Sequence, residues 1–201
     1  MGRDRDSKHK RSRREGVDLY GTGGESLQRR INQPPGMHGT TQRRTRQSEY
    51  GRQLREKQKV KRIYGVRERQ FQRFFNMAQR MPDLTGAALL KLLERRLDNV
   101  IYRLGYARSR PQARQFVNHG HVLVDGQKVD IPSFLVEPGQ SITVRDDMLR
   151  IPDVQELGEN PPAIPSWLER TGDGGRILDT PEREEIDQDI NEQLIVEFYS
   201  R

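Results

Sequence analysis

Residues 109–129 read SRPQARQFVNHGHVLVDGQKV, and this stretch decides the fold class. Its first half opens on Ser109, a hydroxyl residue with a glutamine three positions later, which is the capping-box pattern of a helix start. Gly120 marks the helix end. Its second half places two short apolar runs on either side of Asp125-Gly126, a dipeptide typical of a two-residue β-hairpin. The stretch therefore predicts a helix followed by a hairpin, as in an α+β protein.

Helical patterns dominate the residues before this stretch. Ser48 is a candidate cap for a helix over residues 49–64. A second helix is predicted over residues 68–80, and its phenylalanines recur on one face, so we interpret them as core rather than as a platform for stacking bases. Apolar side chains also recur at helical spacing over residues 86–104, which one long helix or two short ones would satisfy.

Short strands and irregular segments are predicted after this stretch. Residues 134–136 and 141–144 flank a Pro-Gly pair, which predicts a turn between two strands. Residues 146–189 combine acidic side chains with proline and glycine and are predicted to be loop-rich. The apolar run 194–199 is a candidate terminal strand, because it is short and rich in apolar residues.

Charge is distributed unevenly along the chain. The formal net charge is +7, with 36 Lys and Arg against 29 Asp and Glu. Residues 1–80 hold 22 basic and 8 acidic side chains, and residues 81–201 hold 14 and 21, so the two parts carry +14 and −7. Such segregation predicts a polyanionic partner for the basic part. Nucleic acid is favoured over a membrane, because no predicted helix pairs a broad apolar face with a basic one.

Composition excludes several classes of protein. Hydrophobic residues are 32% of the chain, so the core is expected to be small, and no apolar run approaches the ~18 residues of a membrane-spanning helix. The chain has no cysteine, which excludes disulfides, thiolate zinc sites and cysteine nucleophiles. The charged N-terminus does not resemble a secretory signal. No cluster of carboxylates, histidines and nucleophiles indicates catalysis.

Eight stretches carry a resemblance to a known family. Four of them resemble the RNA-binding module named after ribosomal protein S4, and the other four resemble the ribosomal protein S4 family itself. The module stretches are residues 95–100, 102–105, 112–115 and 119–121. The family stretches are residues 13–17, residues 34–39, residues 54–59 together with 62–65, and residues 191–201, which occur in order along the chain.

This resemblance implies a structural protein of the ribosome and not an enzyme. It implies a primary binder of small-subunit (16S-type) ribosomal RNA that nucleates subunit assembly and contributes to decoding accuracy. It also implies a position beside the fifth and twelfth small-subunit proteins, on the path by which mRNA enters the ribosome. The protein is then expected in cytoplasmic or plastid ribosomes, without a membrane or a cofactor.

The resemblance also implies a domain organisation. An N-terminal, mostly helical domain is expected to hold an inserted helix-plus-short-strand RNA-binding domain, and a C-terminal strand is expected to return to the first domain. The predicted segments are an extended basic segment 1–48, a helical domain 49–93 completed by 190–201, an RNA-binding helix-helix-strand module 94–145, and an acidic connector 146–189.

The predicted RNA contacts are mostly cations, because an arginine fork suits phosphate, while an asparagine can reach a base edge or a 2′-hydroxyl. One face of the helix that starts near residue 110 carries such residues at intervals of four, namely Arg110, Arg114 and Asn118. The residues predicted to bind rRNA are Arg13, Arg14, His38, Arg55, Lys57, Lys59, Arg62, Arg69, Arg95, Arg108, Arg110, Arg114, Asn118, His119 and Lys128. The residues predicted to contact mRNA are Arg43, Arg44 and Arg46.

The sequence departs from the family in ways that bear on metal and RNA. Members with four N-terminal cysteines bind zinc there, but here His9 and Ser12 occupy the first two places, so no zinc is expected. His119 and His121 are expected on opposite faces of a strand, which argues against shared metal ligation. Asp146 and Asp147 stand where the family is often lysine-rich, so no RNA contact is expected after residue 145.

Alternative functions remain from other classes. Pseudouridine synthases use an aspartate in a tripeptide like Arg96-Leu97-Asp98, but residues 146–201 are too few for their second, catalytic domain. An RNA-modifying or RNA-chaperone factor that uses the same module off the ribosome is the main alternative. A helix-turn-helix regulator is a more distant one, since the strands after Gly120 stay joined to the helix.

Overall fold

The computed structural model describes residues 7–21, 23–39, 48–186 and 189–200. The chain divides into two compact units, and each is described by itself. The first unit combines Met1–Phe71 with Ile190–Arg201, and the second is Gln72–Asp189. In the described ranges, no helix is long and apolar enough to cross a membrane.

Ten α-helices, one short 3₁₀ helix (Arg183–Glu185) and five strands are found in the described part of the chain. The helices are α1 (Lys8–Glu15), α2 (Glu25–Gln28), α3 (Glu49–Ile63), α4 (Glu68–Ala78), α5 (Thr85–Glu94), α6 (Leu97–Arg103), α7 (Arg110–Asn118), α8 (Asp146–Leu149), α9 (Pro152–Glu159) and α10 (Glu192–Tyr199). The strands are β1 (Val122–Val124), β2 (Gln127–Lys128), β3 (Ser141–Val144), β4 (Leu168–Thr171) and β5 (Gly174–Ile177).

The first unit is built on the packing of α10 against α3. The predicted cap of α3 is confirmed, since the Ser48 hydroxyl oxygen accepts a hydrogen bond from the backbone N–H of Gly51 at 3.1 Å. Val60 of α3 and Ile195 of α10 are fully buried. The phenylalanine stripe of α4 is also buried, which confirms its interpretation as core.

The C-terminal segment is a helix, so the prediction of a terminal strand is wrong, although the segment does return to the first unit. The Asn191 side chain caps the helix by accepting from the N–H of Leu194 at 3.4 Å. Phe198 and Tyr199 lie against Tyr50 and Phe71. A short apolar run has no period that distinguishes strand from helix, and here the cap and the packing against α3 favour the helix.

The second unit contains a five-stranded antiparallel sheet in the order β2-β1-β3-β5-β4. The predicted hairpin is confirmed. Both residues of its turn have positive φ, 49° at Asp125 and 77° at Gly126, which is the geometry of a type I′ turn. Leu135 forms only an isolated bridge with Arg96, so the predicted strand 134–136 does not form as a strand.

Residues 146–189 are not a loop-rich connector, because β4 and β5 complete the sheet. Trp167 and Leu168 are buried in the core of this unit. Gly174 and Gly175 read as loop residues in the sequence, yet they lie in β5. A Cβ at Gly174 would stand 1.9 Å from the carbonyl oxygen of Ile142 on β3. These glycines therefore permit close strand pairing rather than a loop.

The apolar pattern over residues 86–104 resolves into two helices, α5 and α6, separated by Arg95 and Arg96. The capping box predicted at Ser109 does not form, since the hydroxyl makes no cap hydrogen bond. Instead, the Gln112 side chain accepts from the backbone N–H of Arg108 at 2.8 Å. The helix begins at Arg110 nevertheless, with Pro111 in its first turn, where proline is favoured.

A buried ion network lies where α5, α6 and α7 meet. Asp98 accepts two hydrogen bonds from the Arg96 guanidinium, at 2.6 and 3.0 Å, and one from Arg114 at 3.0 Å. The side chain of Arg96 is fully buried and lies over the ring of Phe74. In the same network, Glu94 accepts from Arg103 at 2.8 and 2.9 Å. Asp98 is thus structural.

We predict that Asp98→Ala destabilises the second unit by about 3–5 kcal/mol, because it leaves the buried charge of Arg96 without its carboxylate. Urea unfolding followed by the fluorescence of Trp167, the single tryptophan, measures the change. Asp146→Ala is the matched control, since that side chain is exposed on α8 and its loss should change the midpoint little. Equal midpoints for the two variants would contradict the prediction.

Candidate RNA interface

Two of the predicted RNA contacts surround a buried carboxylate in the first unit. Glu15, at the end of α1, is paired with Arg55 at 3.2 Å and with Arg62, both on α3. Burial raises the pKa of Glu15, and the neighbouring arginines oppose that shift. The side chains of Arg55 and Arg62 keep exposures of 28% and 19%. They hold α1 on α3 and leave a limited surface for RNA.

Arg13 braces the loop at residues 34–39. Its guanidinium donates to the carbonyl oxygens of Gln33 at 3.0 Å and Pro34 at 3.1 Å. The loop is tightly closed, because a Cβ at Gly39 would stand 1.9 Å from the Pro34 carbonyl oxygen. His38 is exposed on this loop. Arg13 therefore shapes a loop that presents His38.

Lys57 is a core cation rather than a surface one. Its side chain is 6% exposed, its ammonium lies 4.1 Å from the ring centroid of Phe198, and it donates to Glu68 at 2.9 Å. Desolvation by itself would raise the pKa of Glu68. Hydrogen bonds from Lys57, Lys61 and Tyr199 outweigh it and lower this pKa to about 2. Lys57 thus joins α10 to α3 and α4 within the first unit. Lys59 lies nearby on α3, 3.7 Å from Glu56.

In the second unit, the two arginines of α7 bond inward. The Arg110 Nε donates to the Asn99 side chain at 2.7 Å, and Arg114 donates to Asp98 at 3.0 Å. Their side chains keep 14% and 18% exposure. Arg95 is also engaged, donating to the carbonyl oxygen of Val136 at 2.8 Å. These guanidinium groups are held rigidly at the surface rather than extended from it.

Arg108 pairs with acidic residues of α9. Its Nε is 3.2 Å from Asp153, and its Nη2 pairs with Glu156. The side chain is still 48% exposed. Exposed pairs of this kind are weak, so Arg108 can exchange its carboxylates for phosphate at small cost.

The turn from α7 into the sheet presents a polar corner, formed by Asn118, His119, His121 and Lys128. Asn118, His119 and Lys128 are exposed. Lys128 crosses over Gly120, where a Cβ would lie 2.1 Å from the lysine Cε. The two imidazole rings are 6.0 Å apart. The expectation that they lie on opposite faces of a strand is wrong for two reasons. Side chains two residues apart in a strand share a face, and His119 is the C-cap of α7 and not a strand residue.

Metal ligation finds no support in the described ranges, which hold no group of three or more His, Cys, Asp or Glu side chains placed to bind an ion. His9 is exposed on α1. Ser12 is buried, and its hydroxyl accepts a hydrogen bond from the N–H of Leu19 at 3.3 Å. The turn after α1 is thus closed by hydrogen bonds.

Two family models cover most of the chain. Residues 3–94 match the one described as "Ribosomal protein S4/S9 N-terminal domain", and residues 95–142 match the "S4 domain". The protein named "Small ribosomal subunit protein uS4" from Herpetosiphon aurantiacus is 56% identical, with 96% of each chain covered. That from Rubrobacter xylanophilus is 50% identical at the same coverage.

The chain belongs to the uS4 family of small ribosomal subunit proteins.

It is therefore a structural, rRNA-binding protein of the small ribosomal subunit and not an enzyme. The family resemblance drawn from the sequence is confirmed, and so is the α+β class with its helical N-terminal part and small antiparallel sheet. The two family matches meet at residues 94 and 95, whereas the compact units divide at residues 71 and 72.

The residues predicted to bind rRNA fall into an exposed group and a partly or largely buried group. Exposed side chains are found at Arg14, His38, Arg69, Arg108, Asn118, His119 and Lys128, while those of Arg13, Arg55, Lys57, Lys59, Arg62, Arg95, Arg110 and Arg114 are partly or largely buried. Arg43, Arg44 and Arg46 lie outside the described residues. RNA contact by any of these residues stays a prediction.

Sequence reasoning missed several exposed cations. Arg30, Arg67, Arg73 and Arg80 are all exposed. The positive balance of residues 1–80 was a signal for them, but it could not say which side chains face water. The pairing of His121 with Asp147 was also missed, because the two residues are distant in sequence.

We predict that Gly120→Ala weakens rRNA binding severalfold, since the new Cβ displaces Lys128. It should also destabilise the protein by about 1–2 kcal/mol, because φ at this residue is +73°. Filter binding and urea unfolding measure the two effects. Gly126→Ala is the control, with φ +77° and no heavy atom within 4 Å of the added Cβ. Equal RNA affinities for the two variants would contradict a role for Lys128.

Proposed function

We propose that the polar corner of the second unit is a contact surface for small-subunit rRNA. The observation that supports it is the exposure of Asn118, His119 and Lys128 beside two arginines that internal side chains hold, the Asn99 amide for Arg110 and the Asp98 carboxylate for Arg114. Lysine offers a point charge to a phosphate, and asparagine can pair with a base edge or a 2′-hydroxyl. Such a set suits a folded RNA, which is recognised largely by shape, phosphates and 2′-hydroxyls.

Arg110 and Arg114 are proposed to contact RNA through guanidinium groups that internal bonds already orient. An arginine has five N–H donors in a fixed plane. Bonds to Asn99 and Asp98 orient the guanidinium groups in advance, which lowers the entropy lost on binding. We propose the same for Arg55, Arg62 and Arg95, whose guanidinium groups are also oriented by bonds within the protein.

In the first unit, Arg14 and Arg69 are the predicted contacts whose side chains are exposed. We assign them to phosphates, together with His38 on its braced loop. We propose that Lys57 and Lys59 contribute less to RNA binding, because their side chains are only 6% and 13% exposed. Arg13 is proposed to act through the loop that it braces.

The resemblance supports finer proposals about the ribosome. We propose that the protein nucleates small-subunit assembly in the cytoplasm, lies beside the fifth and twelfth small-subunit proteins, and influences decoding accuracy. Sedimentation tests this placement: the protein should remain in small subunits, at one copy each, after a high-salt wash. Recovery in the free fraction would favour an RNA-modifying or chaperone factor acting off the ribosome.

Salt dependence tests the rRNA surface. Lys128→Ala should weaken binding and reduce the log–log slope against salt by about one unit, because one phosphate contact is lost. Asn118→Ala should lower affinity with the slope unchanged, since no charge is removed.

The charge-matched control is Arg176→Ala, whose side chain is exposed on β5. It removes the same charge from another part of the second unit and should leave the slope nearly unchanged. If Lys128→Ala and Arg176→Ala change the slope equally, the charge acts at a distance and the assigned contact is wrong.

Arg43, Arg44 and Arg46 are proposed to follow single-stranded mRNA electrostatically, as arginines can without reading sequence. Replacing all three with alanine should leave subunit assembly intact and slow translation through a stable mRNA hairpin. Translation of an unstructured mRNA should change little. A triple variant that fails to enter the subunit would assign these arginines to rRNA instead.

A further inference from the structure

His121 is tied to the start of α8 by side-chain and backbone contacts. Its Nδ1 is 3.2 Å from Oδ1 of Asp147. Its carbonyl oxygen accepts from the backbone N–H of Arg145 at 2.9 Å. The imidazole edge also meets the ring of Phe116, with centroids 6.3 Å apart. These contacts fix the orientation of the ring.

Asp147 is itself held on several sides. Its Oδ1 accepts from the backbone N–H of Met148 at 2.9 Å, and its Oδ2 is 3.4 Å from the guanidinium of Arg145. Desolvation by itself would raise the pKa of Asp147. The hydrogen bond with His121 and the charge of Arg145 outweigh it and hold this pKa below its usual value. The carboxylate is thus ionised at neutral pH and acts only as an acceptor.

An ionised acceptor decides which ring nitrogen carries the proton. Because the carboxylate cannot donate, Nδ1 of His121 must be the N–H donor in this pair. In a neutral imidazole, Nε2 is then left with a lone pair and no proton. Nε2 makes no hydrogen bond to any residue that the structure describes. The side chain is 23% exposed, so part of the ring is open to a ligand.

We propose that Asp147 is a positioning residue for rRNA binding, which holds His121 so that its Nε2 accepts a hydrogen bond from a ribose 2′-hydroxyl. The inference rests on the proposed rRNA surface and extends it past residue 145, where the sequence predicted no RNA contact. His121 belongs to the same polar corner as the exposed Asn118 and Lys128.

The chemistry favours a hydroxyl over a phosphate at this nitrogen. A lone pair cannot bond to a phosphate oxygen, which also only accepts, whereas a 2′-hydroxyl can donate. The charged and titratable groups near the ring are Asp147, with its partner Arg145, at α8, and His119. Lys128 on β2 crosses over the neighbouring Gly120. Lys128 and Arg145 can take the phosphates, and the imidazole then reads the sugar.

The tautomer of His121 is the first test. In the full-length protein at pH 8, two-bond ¹H–¹⁵N correlation spectra should show His121 with its proton on Nδ1. In Asp147→Ala the proton should move to Nε2, the tautomer that a free imidazole prefers. Asp147→Asn should restore the Nδ1 form, since its amide oxygen can still accept. An Nε2 proton in the wild type would overturn the proposal.

RNA affinity is the second test, measured with small-subunit rRNA. At pH 8, His121→Ala and Asp147→Ala should each weaken binding about fivefold, the worth of one hydrogen bond. Together they should weaken it no further, because both remove one contact. Asp147→Asn should bind like the wild type. Asp146→Ala, which removes a neighbouring exposed carboxylate, should bind as well as the wild type or slightly better.

A sugar substitution separates the hydroxyl from the phosphate. When deoxyribose replaces ribose, one protected nucleotide at a time, one substituted rRNA fragment should bind the wild type and His121→Ala equally at pH 8, because the donating hydroxyl is gone. A difference that persists on every substituted fragment would assign the nitrogen to another group and overturn the proposal. Unchanged affinity in Asp147→Ala, with the tautomer moved, would overturn the contact. Failure of the wild type to bind rRNA would refute the proposed function itself.

Discussion

The salt bridge between Arg96 and Asp98 is the interaction on which the second unit depends. A fully buried guanidinium is stable only when its charge is matched. Asp98 supplies that match and also binds Arg114 of α7. The bridge therefore fixes the break between α5 and α6 and the position of the helix that follows. The placement of the polar corner at the end of α7 follows from that helix.

Some basic side chains of the protein are paired with its own carboxylates, and others are exposed to solvent. Several basic residues that the sequence marks for RNA are bound to internal carboxylates, as Arg62 is to Glu15 and Lys57 is to Glu68. A buried cation of this kind contributes to stability mainly because its removal leaves a carboxylate unpaired. Arg14 and Lys128 are exposed, and they are among the residues proposed to meet the polyanion. The number of Lys and Arg residues, 36, thus overstates the number of cations that can meet RNA.

The acidic residues after residue 145 serve the same fold. Asp153 and Glu156 hold Arg108 at the start of α7, and Asp147 holds His121 at its end. Residues 146–189 also supply β4 and β5. The acidic segment therefore organises the basic surface that precedes it, and its negative charge does not exclude a role at that surface.

The sequence by itself determined the family, the α+β class, the α3 cap at Ser48 and the hairpin at Asp125-Gly126, because local patterns and side-chain chemistry encode these features. It failed for the C-terminal helix and for strand β5. An apolar run has no intrinsic period, and glycines such as Gly174 fit a loop as well as a crowded strand. Only the tertiary structure decided which cations are exposed, because a partner such as Asp98 for Arg114 lies 16 residues away in the chain and meets it only after packing.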